Sequence, residues 1–313
     1  MKHYTTLSDI ENLEELIQEA LQLKKENTAS AAGKSKTLGM LFFNPSLRTR
    51  LSTEKAAKLL GMEVLVMNAD KDGWALEFED GAVMDSNKAE HIKEAAAVLS
   101  QYCDVIAVRA FPALEDKETD ESEIVLNSFK KYASVPVINL ESATGHPLQA
   151  LTDAITISEL KTSKRPKVVL TWAPHPKALP QSVPNSFVEV MRKMEVELVI
   201  ANPEGYDLNP KITGDTPVIH NQEEALKNAD FVYVKNWSSY EQYGKVLKTD
   251  REWTLTNEKL KPSNNAKVMH CLPVRRNVVI ADEVLDGENS VVIRQAGNRT
   301  FAAQAVLKRI LEN

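Results

Sequence analysis

Lys36-Thr37-Leu38-Gly39-Met40-Leu41-Phe42-Phe43-Asn44-Pro45-Ser46-Leu47-Arg48-Thr49-Arg50 is the stretch from which the architecture follows. Lys36 to Phe43 is a mostly apolar run of strand length. Leu51 to Leu60 carries apolar residues at helical spacing and stops at Gly61. Ser46 to Arg50 therefore occupy a strand-to-helix junction, on the first helical turn. Free backbone N–H groups and the positive end of the helix dipole face that turn. The hydroxyls of Ser46 and Thr49 and the guanidinium groups of Arg48 and Arg50 join them. Such a junction suits a phosphate or another compact dianion. A capped helix with surface arginines is the plainer reading of the same residues.

Glu63–Asn68 reads as a second strand, which makes a βαβ unit with parallel strands and a right-handed crossover. Further strands are expected at Val105–Val108, Val135–Leu140, Val168–Trp172, Glu197–Ile200, Phe231–Val234 and Ala266–Met269. Helices are expected at 8–25 with Ser8 as cap, and at Glu90–Gln101, Glu123–Tyr132, Leu148–Leu160, Asn185–Met194, Gln222–Ala229 and Asn298–Leu311. Val291-Val292-Ile293 is read as lying before the last of these. The class is α/β: two domains, each with a parallel sheet flanked by helices, and a ligand crevice between them. The 313 residues are enough for both.

Composition narrows the class of activity. The chain is 43% hydrophobic and 26% charged, as globular proteins are. A net charge of −6 argues against non-specific nucleic-acid binding but not against a small anion, because local arginines decide that. The two cysteines, Cys103 and Cys271, point to a reducing compartment. The first ten residues lack the apolar core of a signal peptide, and no apolar run reaches membrane-spanning length, so a cytoplasmic protein is expected. There is no G-x-G-x-x-G after a strand, no P-loop and no metal-ligand spacing, so neither a nucleotide nor a metal or other cofactor is expected.

Polar groups collect at the carboxyl ends of the expected strands: Arg48, Thr49, Arg109, Glu141, His146, Gln149, His175, Lys235, His270, Cys271 and Arg275. In open parallel sheets ligands bind there. Each residue has a bland alternative: a satisfied structural histidine, a solvated Arg275-Arg276 pair, a small core cysteine. Their coincidence of position carries the reading. The proline-rich loop Ala173–Pro184 is stiff, and such loops are more often functional than incidental. Trp74, among Asp70, Lys71, Asp72 and Gly73, lies on its own domain surface or belongs to a binding loop.

Ser46-Leu47-Arg48-Thr49-Arg50 resembles the carbamoyl-phosphate motif of the aspartate and ornithine transcarbamylases. His146-Pro147-Leu148-Gln149 and His270-Cys271-Leu272-Pro273 are similar to two further motifs of that family. Gln295-Ala296-Gly297-Asn298-Arg299 is similar to its terminal segment, with Gly297 in place of the usual glutamate. The serine-methionine-glycine loop that closes over free ornithine is absent. Lys235-Asn236-Trp237, the proline-rich loop and Leu272–Asn277 instead resemble the N-acylornithine branch, and closest its succinyl enzymes.

The resemblance implies a carbamoyl-phosphate domain at 1–148, joined by a C-terminal segment at about 298–313, and an acylornithine domain at 149–297. It implies carbamoyl-phosphate contacts from Ser46, Leu47, Arg48, Thr49, Trp74, Arg109, His146, Gln149, Cys271, Leu272 and Arg299. Arg109, His146, Gln149 and Cys271 would be catalytic, and Ala89, Glu141, His175, Lys235 and Arg275 would bind the acylornithine. It implies a homotrimer in which Trp74 reaches a neighbouring subunit's site, and a knot in the second domain. Ahead of Glu90-His91 the acetyl enzymes carry a glutamate and the succinyl enzymes a proline. Ala89 is neither, and it removes the glutamate's repulsion of a second carboxylate. Carbamoyl transfer to N-succinyl-L-ornithine is the expectation. Transfer to N-acetylornithine or ornithine, and a regulatory anion-binding protein on the same fold, are the alternatives.

Overall fold

β1 (Thr37–Phe42) is buried along almost its whole length, as a central parallel strand with both faces covered must be. Gly39 is needed within it, because an added Cβ would lie 2.5 Å from Cys103 Sγ. β2 (Glu63–Asn68) follows, then two-residue strands β3 (Leu76–Glu77) and β4 (Glu90–His91), then β5 (Val105–Arg109) and β6 (Val137–Glu141). Four of these form a parallel sheet in the order β2-β1-β5-β6, while β3 and β4 pair with each other. Leu41, Ile92, Ala96, Ile106, Val108 and Phe129 make much of the core against one face of the sheet. The computed structural model describes residues 1–249 and 251–312, and Asp70 by its backbone alone. Asn313, the end of the expected C-terminal segment, and the side chain of Asp70 lie outside the described residues.

β7 (Lys167–Trp172), β8 (Glu197–Ala201), β9 (Val218–Ile219), β10 (Phe231–Lys235) and β11 (Lys267–Met269) form a second parallel sheet in the order β11-β10-β7-β8-β9. By contacts the chain divides into two compact units. One comprises Met1–Ala113, Glu118–Leu148 and the chain from Arg299; the other comprises Leu114–Lys117 and Gln149–Asn298. Among the described residues no helix is long and apolar enough to cross a membrane.

Four helices have bounds that differ clearly from expectation. The first helix is Leu13–Glu26, capped by Asn12 rather than Ser8. Asp9 instead turns its carboxylate back to the Thr5 and Thr6 N–H groups at 2.6 and 3.0 Å, which closes a separate short turn at Leu7–Asp9. The helix expected at Asn185 runs Ser182–Met191, because Pro184 is accommodated in a first turn whose N–H groups have no intrahelical partner. The last helix begins at Val292, not Asn298, with Gln295 N–H donating to Val291 O at 2.8 Å. The helix Gln222–Leu226 also stops early, before left-handed Asn228 at φ 58°.

Candidate active site

In the first unit, β1 delivers the chain to Ser46, whose extended backbone and side chain cap the helix Leu47–Leu59. The Ser46 hydroxyl accepts from Thr49 N–H at 3.3 Å. Leu47 and Arg48 stand on the first turn, Leu47 exposed and Arg48 partly so. Thr49 is buried, and its Oγ1 accepts from Arg299 Nη2 at 2.7 Å. The junction is thus a helix N-terminus backed by a guanidinium from the far end of the chain.

The neighbouring strand ends are tied together. Phe43 N–H donates to Arg109 O and Ala110 N–H to Glu141 O, both at 2.9 Å. A register shift after Val108 sets Arg109 opposite Glu141. There Arg109 Nη1 meets Glu141 Oε2 at 2.5 Å, with both side chains buried. The guanidinium lies over the Phe111 ring at 4.3 Å, and its buried Nε has no hydrogen-bond partner among the described residues. A buried donor left in that condition costs roughly 1–3 kcal/mol, so an anionic ligand that accepts from it gains affinity. Glu141, expected to bind acylornithine, has this carboxylate oxygen committed to Arg109.

His146 sits 3.5 Å from the same Glu141 oxygen and is 3% exposed. Burial pulls its pKa down to about 3; Arg299 and Arg109 push the same way, against Glu141. The imidazole is therefore neutral at pH 7 and can donate one N–H without adding charge. In the unfolded chain this histidine protonates near 6.5. The unfolded state thus takes the proton first, and stability falls as pH drops from 6.5 towards 3. Between pH 7 and pH 5 this group alone costs about 2 kcal/mol. Urea unfolding at the two pH values should show His146→Gln losing less stability than the parent by about that amount.

The loop before His146 is held by a residue that the sequence did not single out. The Glu123 carboxylate accepts from Ser142 Oγ (2.7 Å), Ala143 N–H (3.2 Å), Thr144 N–H (2.7 Å) and Thr144 Oγ1 (2.6 Å). Four donors on one carboxylate fix the turn from which His146 projects.

The second unit carries two groups. In one, Asp153 Oδ1 accepts from Gln149 Nε2 and Gln295 Nε2, each at 2.7 Å. Gln295 Oε1 in turn accepts from His270 N–H at 2.9 Å, and His270 Nδ1 accepts from Leu272 N–H at 2.8 Å. Leu272 is left-handed, at φ 56°. The Tyr233 hydroxyl lies against Asp153 and Cys271, and burial first, then those two groups, pushes its pKa well above 10. Asp153 was also missed in the sequence, though its place four residues after Gln149 on one helix was a usable signal.

In the other group, Arg275 Nε donates to His175 Nε2 at 3.0 Å. A guanidinium N–H can only donate, so Nε2 is the acceptor in a neutral ring, and Nδ1 lies against the Lys177 backbone, 2.9 Å from its O and 3.1 Å from its N. Burial, then Arg275 and Lys235, lowers the His175 pKa against the Lys177 carbonyl, which keeps this neutral form. Lys235, at the end of β10, is buried with Nζ donating to Asn236 O at 2.9 Å. The result is a cationic pair, Lys235 and Arg275, beside a neutral imidazole, which suits carboxylates.

Trp74 and Ala89 form a separate group on the loop built around β3 and β4. Trp74 is 60% exposed, with Nε1 donating to Glu90 Oε2 at 2.7 Å. Ala89 is exposed, and its N–H bonds Ala75 O at 3.1 Å. Glu77 pins the loop by accepting from Phe78 N–H, Glu79 N–H and Lys88.

Residues 2–159 match the family model for the aspartate/ornithine carbamoyltransferase carbamoyl-P binding domain, and residues 180–310 match the Asp/Orn binding domain. An N-succinylornithine carbamoyltransferase of Bacteroides fragilis is 48% identical, with 100% of this chain and 99% of that one aligned. An N-acetylornithine carbamoyltransferase of Xylella fastidiosa is 37% identical over 98% of each chain. A solved N-acetyl-L-ornithine transcarbamylase superposes with a TM-score of 0.92 at 35% identity, covering 99% of this chain and 100% of the other. That protein has one glutamate replaced by alanine and holds carbamyl phosphate and N-succinyl-L-norvaline.

Proposed function

Because the chain belongs to the aspartate/ornithine carbamoyltransferase family, we propose that it carries the carbamoyl group of carbamoyl phosphate to the δ-amine of N-succinyl-L-ornithine. The products are N-succinyl-L-citrulline and phosphate, in arginine biosynthesis. The 48% full-length identity with a succinyl enzyme, against 37% with an acetyl enzyme, carries this reading. Ala89 supports it. By family resemblance it stands where acetyl enzymes have a glutamate, and a related enzyme with a glutamate exchanged for alanine holds a succinylated ligand.

In this reading Ser46, Leu47, Arg48 and Thr49 take the phosphate on the helix N-terminus. Arg109 bridges phosphate and carbamoyl oxygen. An ornithine δ-amine has a pKa near ~10.4, so selecting its neutral form at pH 7 costs about 4–5 kcal/mol. Attack then puts negative charge on the carbamoyl oxygen. Arg109, Thr49, Arg299 and neutral His146 donate to it, at about 3–4 kcal/mol for one well-placed donor. Gln149 and the carbonyls at Cys271 and Leu272 orient the carbamoyl NH₂. Cys271 lies near the amine without attacking, and the leaving phosphate accepts the amine proton. Glu141, His175, Lys235 and Arg275 serve the acylornithine. Arg275→Gln should raise the KM for acylornithine roughly 10–100-fold and leave the KM for carbamoyl phosphate unchanged, as initial rates against each substrate would show.

The same reading makes the enzyme a cytoplasmic homotrimer with a knotted second domain, in which Trp74 serves a neighbouring subunit's carbamoyl phosphate. The exposure of Trp74 on a pinned loop supports this. The test is phosphate release from carbamoyl phosphate that requires the acylated amine and matches ureido product one for one. Release without the amine contradicts it.

A further inference from the structure

We infer that Asp153 is a positioning residue for carbamoyl transfer, acting by fixing the side-chain amide of Gln149. The inference rests on the role proposed above for Gln149. A glutamine amide can present either its oxygen or its NH₂ in a given direction, and the two orientations have nearly the same shape. The carbamoyl NH₂ needs an acceptor, so one orientation is productive and the other presents donor to donor. Asp153 makes the choice. Its carboxylate is fully buried, and it can only accept while ionised. Oδ1 takes Gln149 Nε2 at 2.7 Å, which turns the Gln149 carbonyl oxygen the opposite way.

The same oxygen takes Gln295 Nε2, so that Gln295 Oε1 must face His270 N–H. One carboxylate thereby sets the sense of two amides and steadies the backbone leading to Cys271 and Leu272. A buried carboxylate is a costly way to hold a helix that is already apolar. The orientation of Gln149 supplies a reason for it.

The experiment is a double-mutant cycle on the full-length enzyme, with kcat, both KM values and a thermal melt for every variant. Gln149→Ala alone should lower kcat about 10²-fold. Asp153→Leu should lower kcat to a similar degree. Asp153→Asn, which keeps an oxygen for both glutamines, should recover most of that loss. In the Gln149→Ala background Asp153→Leu should cost no more than about 3-fold further. If Asp153→Leu does not fold, the same cycle is run with Asp153→Asn, whose smaller kcat loss should likewise vanish without Gln149. An Asp153 substitution that lowers kcat as much without Gln149 as with it overturns the inference. So does one that lowers the melting temperature and leaves kcat unchanged. An unchanged Gln149→Ala enzyme overturns the reading of Gln149 itself, and this inference with it.

Discussion

Arg109→Leu should lower kcat/KM by about 10³-fold or more and destabilise the protein by about 3–5 kcal/mol. The stability term comes from the partner. Glu141 is buried with Arg109 at 2.5 Å, and leucine would leave that carboxylate without its counter-charge. The activity term comes from the reaction, because Arg109 is the guanidinium proposed to hold phosphate and carbamoyl oxygen together. The two separate cleanly. Replacing both partners, Arg109→Leu with Glu141→Leu, removes the unpaired charge and should restore most of the stability, as apolar replacements of buried ion pairs do. It should restore none of the activity. Urea unfolding and initial rates on the three variants check this. A double variant that recovers turnover would show that Arg109 serves the fold alone.

Ala89→Glu should cut turnover of N-succinylornithine by about 10²–10³-fold while leaving N-acetylornithine within about 10-fold of its parent rate. Ala89 is exposed and its N–H stays bonded to Ala75 O, so the fold has little to lose from the longer side chain. The new carboxylate would face the second carboxylate of the succinyl group. Like charges brought together in a partly desolvated site cost several kcal/mol. Equal losses on both substrates would put the specificity determinant elsewhere.

Parts of this molecule were readable because their signals are local. The apolar run before Ser46 and the helical spacing after it sufficed for strand, cap and helix, since capping and amphipathic period act within a few residues. Arg109 and Lys235 were legible as strand-end residues for the same reason. What escaped depends on partners distant in sequence. Glu123 holds a turn about twenty residues later, and nothing near it marks that role. The Asp153–Gln295 bond spans 142 residues. Ser8 and Asn12 are both acceptable caps for the N-terminal helix, and Asp9 turning back on Thr5 and Thr6 decides for Asn12. The last helix starts ahead of Asn298 because Val292 and Ile293, strand-like in composition, lie on its first turn.

The identity of the acylated amine is read from one assay: kcat/KM with carbamoyl phosphate and, side by side, N-succinylornithine, N-acetylornithine and ornithine. N-succinylornithine should lead the other two by at least about 10²-fold, the scale expected of a site tuned to one charged group. Preference for N-acetylornithine or free ornithine would contradict the reading of Ala89 and leave the carbamoyl-phosphate half intact. No turnover of any of the three would contradict carbamoyl transfer to an ornithine amine altogether.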